Sequence, residues 1–256
     1  MARIFVVANQ KGGVGKTTTT VNLAAALANL GQRTLLVDLD PQGNATMGSG
    51  IDKRAQSQTI YQVLIGLADV TEATKVSPSA PFHVLPANRE LAGAELELVD
   101  FAERETRLKD ALAQVDELYD YVLIDCPPSL SLLTLNGFCA AHGVIIPLET
   151  EYFAMRGVAL LVETIEKITD RLNPRLTIDG ILATMYDGRT LHSREVVASV
   201  VEHFDDRVFH TVISRTVKFP DATLAAEPIT TYDATHKGAG AYRQLARELI
   251  ARGGAA

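Results

Sequence analysis

The sequence predicts an α/β protein built on a doubly wound, mostly parallel sheet flanked by helices. Three observations predict it: short apolar runs recur along the chain, helical patterns lie between them, and a glycine-rich loop follows the first run. Strands covered by helices on both faces read as continuous apolar runs. Their alternation with helices implies parallel pairing with crossovers on both sides. Ligands of such sheets bind at the carboxyl ends of the strands.

The elements follow in order. "RIFVVA" (3–8) is the first strand candidate, and the Ala- and Leu-rich stretch 17–30 is the first helix. "RTLLVDL" (33–39), "FHVLPA" (82–87), "YVLID" (121–125), "GVIIPL" (143–148), "IDGILATM" (178–185) and "VFHTVI" (208–213) complete the strand candidates. Leu108, Leu112 and Val115 share a helical face, as do Val196, Val197, Val200, Val201 and Phe204. Residues 50–80 carry the weakest pattern, and a last helix over about 239–252 ends in the tail "RGGAA". No repeat or low-complexity linker divides the 256 residues, so one domain over 1–256 is expected.

Composition narrows the function. Hydrophobic residues make up 47% and charged residues 21%, ordinary for a soluble globular protein. No run approaches the roughly 18–20 apolar residues of a membrane helix. The N-terminal run leads into glycines and a lysine with no small-residue cleavage site, so it reads as a buried strand and not a signal. Two cysteines, Cys126 and Cys139, give neither a disulfide framework nor zinc-finger spacing, and a reducing, cytoplasmic setting is expected. The net charge of −7 excludes a uniformly basic protein. The acidic excess lies in residues 1–150, so a nucleic-acid surface would be a local patch in the C-terminal half.

"QKGGVGKT" (10–17) joins the first strand to the first helix, the context a phosphate-binding loop requires. Gly12, Gly13, Val14 and Gly15 would turn backbone N–H groups toward phosphate, and Thr18 continues the loop into the helix. Lys16 would reach the β- and γ-phosphates, and the Thr17 hydroxyl would bind Mg²⁺. The strict G-x-x-x-x-G-K-[ST] pattern is not met, because position 10 is Gln. "YVLID" is an apolar strand ending in Asp125, a second Mg²⁺ ligand, expected to act through water because Mg²⁺ sheds its shell reluctantly. "VDLDPQG" (37–43) places Asp38 and Asp40 on one side at the end of the second strand. Asp38 would either sit near the metal or cap the next segment. No guanine-reading element, clustered histidines or G-x-S-x-G elbow appears, which leaves GTPase, metalloenzyme and serine-hydrolase readings without support.

"KGGVGKT" resembles the deviant Walker A motif of the ParA/MinD ATPases, and "CPPS" (126–129) resembles the ParA/Soj branch. The resemblance spans nearly the whole chain and implies ATP as the nucleotide. It implies a homodimer with ATP sandwiched between subunits, Lys11 reaching the partner's phosphates and Asp40 orienting the attacking water. A triphosphate carries more charge than one lysine and one Mg²⁺ neutralise, which gives the second lysine a physical purpose. "TMYDGRTLHSREVV" (184–197) and "SRTVKF" (214–219) match segments whose basic residues serve nonspecific DNA binding in the family, which puts Arg189 and Lys218 on DNA, with Arg194 and Arg215 beside them. A ParB-like protein is the implied stimulating partner, chromosome or plasmid partitioning the implied role, and the nucleoid the implied location. The segment "PDATLAAEP" (220–228) departs from the family pattern where base contacts lie.

Other readings remain open at this point. ParA-like proteins also position chemotaxis clusters or carboxysomes. A MinD-like membrane cycle needs a bulky amphipathic C-terminal helix, and Tyr242, Leu245, Leu249 and Ile250 offer only a narrow stripe better suited to packing on the core. An electron-transfer iron protein needs cluster cysteines, which the settings of Cys126 and Cys139 do not resemble. Because the loop begins within ten residues of Met1, no operator-reading N-terminal region is expected.

Overall fold

The structure, a computed structural model, describes residues 1–151 and 154–253. Residues 254–256 of the expected tail lie outside the described residues. Among the described residues seven strands form one sheet: β1 (Arg3–Val7), β2 (Thr34–Asp38), β3 (Lys75–Val76), β4 (His83–Leu85), β5 (Tyr121–Asp125), β6 (Gly143–Glu149) and β7 (Thr177–Thr184). Their spatial order is β3-β4-β2-β5-β1-β6-β7, parallel throughout except for the short edge strand β3.

Both faces of the sheet are buried. Ile4 and Val6 of β1 join Val122 and Ile124 of β5 in one core. Phe5 and Val7 join Tyr121 and Leu123 in the other. Alternation along each strand therefore feeds two apolar layers, which explains the continuous apolar runs. The helix Lys16–Asn29 is almost wholly buried from Thr19 to Ala28, because alanines let it lie close to the sheet and to the last helix, Lys237–Gly253.

Two expectations need correction. Residues 208–213 form no strand: they run beside β7 and touch it through a lone bridge, Ile181 to Val208, with Phe209 and Ile213 donating to Ile181 and Ala183 carbonyls. The segment is held by other groups instead, with Glu248 accepting from the His210 and Thr211 backbone N–H groups at 2.7 and 3.1 Å. Val201 does not share the buried face of Val196 and Val200; it is exposed. Residues 50–80 hold short helices at Ile60–Leu64 and Val70–Ala73 as well as β3. The capping box Thr59-x-x-Gln62 starts the first of these and was readable in "TIYQ".

The last helix buries Tyr242, Leu245, Ala246 and Leu249 on the core, as its narrow stripe suggested. No helix among the described residues is long and apolar enough to cross a membrane.

Candidate nucleotide site

β1 ends at Val7 and the helix starts at Lys16, so the loop lies at the carboxyl edge of the sheet. Gly15 sits at φ 88°, a left-handed conformation that a side chain would strain, and it serves as the N-cap with no side chain of its own. The helix therefore opens with free N–H groups toward the site. Thr184 Oγ1 at the end of β7 donates to the Val14 carbonyl at 2.9 Å and tethers the loop from the other side.

Lys16 is buried, and its Nζ donates to the Lys11 carbonyl at 3.2 Å. Burial pulls its ammonium below the ordinary range against the attraction of Asp125, Cys126 and Asp40. Asp125 is fully buried at the end of β5. Its two oxygens accept from Thr17 Oγ1 at 2.8 Å and from Thr20 Oγ1 at 3.0 Å. Burial lifts its carboxyl to about 8, with repulsion from Asp38 adding to the rise. Burial likewise lifts Asp38 to about 6, opposed by hydrogen bonds from Thr46.

Asp38 is bonded to the segment that follows it. Its Oδ2 accepts from Thr46 N and Thr46 Oγ1, both at 2.7 Å, and its Oδ1 accepts from Asp40 N at 3.2 Å. It thereby anchors the turn from Asp40 into the helix Asn44–Gly48. Gly43 permits that turn at φ 61°, where a Cβ would meet the Ala87 carbonyl oxygen at 2.8 Å. Asp40 lies past the strand end, half-buried, with its own Oδ1 accepting from Gln42 N at 2.9 Å. Lys16, Asp125 and Asp40 are thus brought to one site, as expected.

A metal fits these donors. Two buried carboxylates with raised protonation, beside a threonine hydroxyl, make a place where a cation would relieve repulsion. No cluster of three or more His, Cys, Asp or Glu that could hold a metal exists among the described residues. Mg²⁺ held by few protein groups and completed by phosphates and water suits such a set.

Sequence reasoning missed the apolar side of the site. A cavity of about 570 Å³ opens beside Gly15 and Thr18, walled by Met185, Ile213, Phe219, Pro220 and Leu224. Its walls are distant in sequence and are joined by Tyr186, which donates to the Ile213 carbonyl at 3.0 Å and accepts from Arg215 N at 3.0 Å. Only "PDAT" hinted at it, because there the chain departed from the expected pattern. A larger cavity, about 1070 Å³, is lined by several charged residues, Lys53 and Arg89 among them, and includes no residue of the loop, so size alone does not mark the site.

Lys11 stands apart from Lys16. Its Nζ reaches the end of β6, donating to Glu149 at 3.0 Å and Glu151 at 3.2 Å. Arg189 is exposed and paired with Asp187 at 2.7 Å, and Lys218 lies 5.8 Å from the Tyr232 ring. The Tyr186 contacts bring their two segments together. Cys126 and Cys139 are buried free thiols.

With this geometry in hand, comparison with known proteins decides the family. A family profile described as "AAA domain" matches residues 2–178. The chromosome-partitioning ATPase Soj of Treponema pallidum is 48% identical, over 99% of this chain and 99% of that protein. The sporulation initiation inhibitor protein Soj of Bacillus subtilis is 47% identical over 99% and 100%. The chain belongs to the ParA/Soj family of partitioning ATPases. Among solved structures, a Mycobacterium smegmatis protein named cobyrinic acid a,c-diamide synthase, with bound ADP and magnesium, is 44% identical. It covers 98% of this chain and 94% of its own, with a TM-score of 0.86. MinD of Pyrococcus horikoshii, complexed with Mg-ADP, is 26% identical over 100% and 98%, with a TM-score of 0.80. As a member of this family the protein is an ATPase that uses ATP and Mg²⁺.

Proposed function

We propose that this ParA/Soj family member is a dimeric switch: ATP bridges two subunits, the dimer binds DNA without sequence preference, and a ParB-like partner triggers hydrolysis. The observation that carries this reading is the separation of the two loop lysines. Lys16 is buried against its own site, whereas Lys11 is half-exposed and engaged by two carboxylates at the end of β6, able to serve a second nucleotide once they let go. Lys16 neutralises the subunit's own phosphates, Thr17 and Asp125 hold Mg²⁺, and Asp38 fixes the turn that carries Asp40. Asp40, half-buried beside Lys16, orients the attacking water. The apolar cavity beside Thr18 takes the base.

Arg189 and Lys218 contact DNA phosphates, with Arg194 and Arg215 nearby; their adjacent segments support one patch per subunit, doubled in a dimer. Such contacts need placed charge only and weaken with salt. The C-terminal helix is committed to the core, which favours DNA over a membrane as the surface bound, and the nucleoid as the location. Chromosome partitioning is the role that the names of the relatives favour.

The reading is tested by DNA binding with and without ATP as salt rises. ATP-dependent binding that falls steeply with salt is expected; dimers that ignore DNA even at low salt would refute it.

A further inference from the structure

Lys11 is held at both ends. Its N–H donates to Asn9 Oδ1 at 2.9 Å, and Asn9 Nδ2 donates to the Pro147 carbonyl at 2.8 Å, which ties the loop backbone to β6. Its carbonyl accepts from Lys16 Nζ. The side chain then reaches the end of β6, where Glu149 and Glu151 lie two residues apart and both accept from the same ammonium. Glu149 is the more buried of the two, with its side chain 12% exposed, and its second oxygen accepts from Arg215 at 3.1 Å. Arg215 also lines the apolar cavity. Two carboxylates on one ammonium offer it the same chemistry a phosphate chain would.

We propose that Glu149 and Glu151 form an intramolecular latch, holding Lys11 on its own subunit until a partner's triphosphate displaces them. The inference rests on the reading above, that Lys11 acts across a dimer. Dimerisation then exchanges one set of anions for another and does not create a new ion pair from a free lysine. Exposed ion pairs are individually weak, so two of them raise the nucleotide threshold without blocking assembly. A triphosphate carries more charge than a diphosphate and competes better for the lysine, while the latch adds the same cost to both and raises the threshold each must pass. Glu149 and Glu151 are positioning residues, since they act through Lys11.

The test is light scattering of the full chain titrated with a non-hydrolysable ATP analogue, for wild type, Glu151→Gln and the double variant Glu149→Gln/Glu151→Gln. The double variant is expected to reach half-dimerisation at about three- to tenfold less analogue, the single variant with a smaller shift in the same direction. Affinity of the monomer for labelled ADP should match wild type and verify the fold. Glu151→Gln alters an exposed side chain that leaves the Glu149–Arg215 pair intact, so it stands even if the double variant folds poorly. Unchanged or higher analogue requirements in the variants overturn the latch while the dimer reading survives. A wild type that stays monomeric at every concentration overturns the dimer reading itself, and the latch with it.

Discussion

Asp38 and Asp125 are register partners on the adjacent parallel strands β2 and β5, and both side chains are fully buried. Like charges so placed, out of water, oppose joint ionisation. Threonine hydroxyls partly compensate each one, Thr46 for Asp38 and Thr17 and Thr20 for Asp125. Joint ionisation of the pair is therefore costly, and a cation beside it would lower that cost.

That cost has a pH signature. Both carboxyls titrate above their ordinary range when folded, so their stabilising contribution is present below about pH 4 and is lost as pH rises through about 6 and then about 8. Asp125→Asn removes one buried charge. Between pH 5.5 and 8, without nucleotide, the wild-type melting temperature should fall relative to Asp125→Asn by ~2–4 °C for each kcal/mol lost. The variant should also lose Mg²⁺-dependent turnover, which a phosphate-release assay checks.

Asp40→Ala should bind ATP and dimerise yet stay trapped before hydrolysis, with turnover reduced about 100-fold or more. Among the described residues its half-buried side chain bonds within its own turn, so the fold should persist. Dimers that hydrolyse at the wild-type rate would remove Asp40 from the chemistry. Lys16→Ala, by contrast, should abolish nucleotide binding, measured by calorimetry.

Tyr242 supports the site from behind. Its hydroxyl meets Thr19 Oγ1 at 3.3 Å on the first helix, and its ring lies edge-on to Phe219, 5.7 Å away, at the cavity wall. Tyr242→Phe should cost about 0.5–1.5 kcal/mol of stability, and Tyr242→Ala about 3–5 kcal/mol, by denaturant unfolding. The alanine variant should in addition weaken nucleotide affinity, because Phe219 loses its backing.

Arg189→Ala and Lys218→Ala should each weaken DNA binding across all sequences and reduce the salt slope by about one. Arg189 is exposed and its pairing with Asp187 is local, so folding should be unaffected. A change confined to one DNA sequence would contradict a phosphate role.

Much of this was legible in the sequence because the chemistry is local. The loop, the strand ending in Asp125 and the turn after Asp38 each lie within a dozen residues, and continuous apolar runs marked the buried strands. What escaped reading depends on distant partners. Residues 208–213 carry an apolar pattern suited to a strand, but Glu248 on the last helix takes up backbone donors there. The cavity wall forms only where Tyr186 joins Ile213 and Arg215. The partner of Asp38 is Thr46, eight residues away, whose hydroxyl also accepts from Ala87 N. The resting partners of Lys11 lie on β6 and just beyond it, and no spacing in the loop pointed to them.

The claim that Lys11 serves the neighbouring subunit is tested most directly by size-exclusion chromatography with light scattering of Lys11→Ala in ATP. The account predicts a nucleotide-bound monomer at concentrations where the wild type is a dimer. A Lys11→Ala protein that dimerises and hydrolyses ATP like the wild type would contradict it.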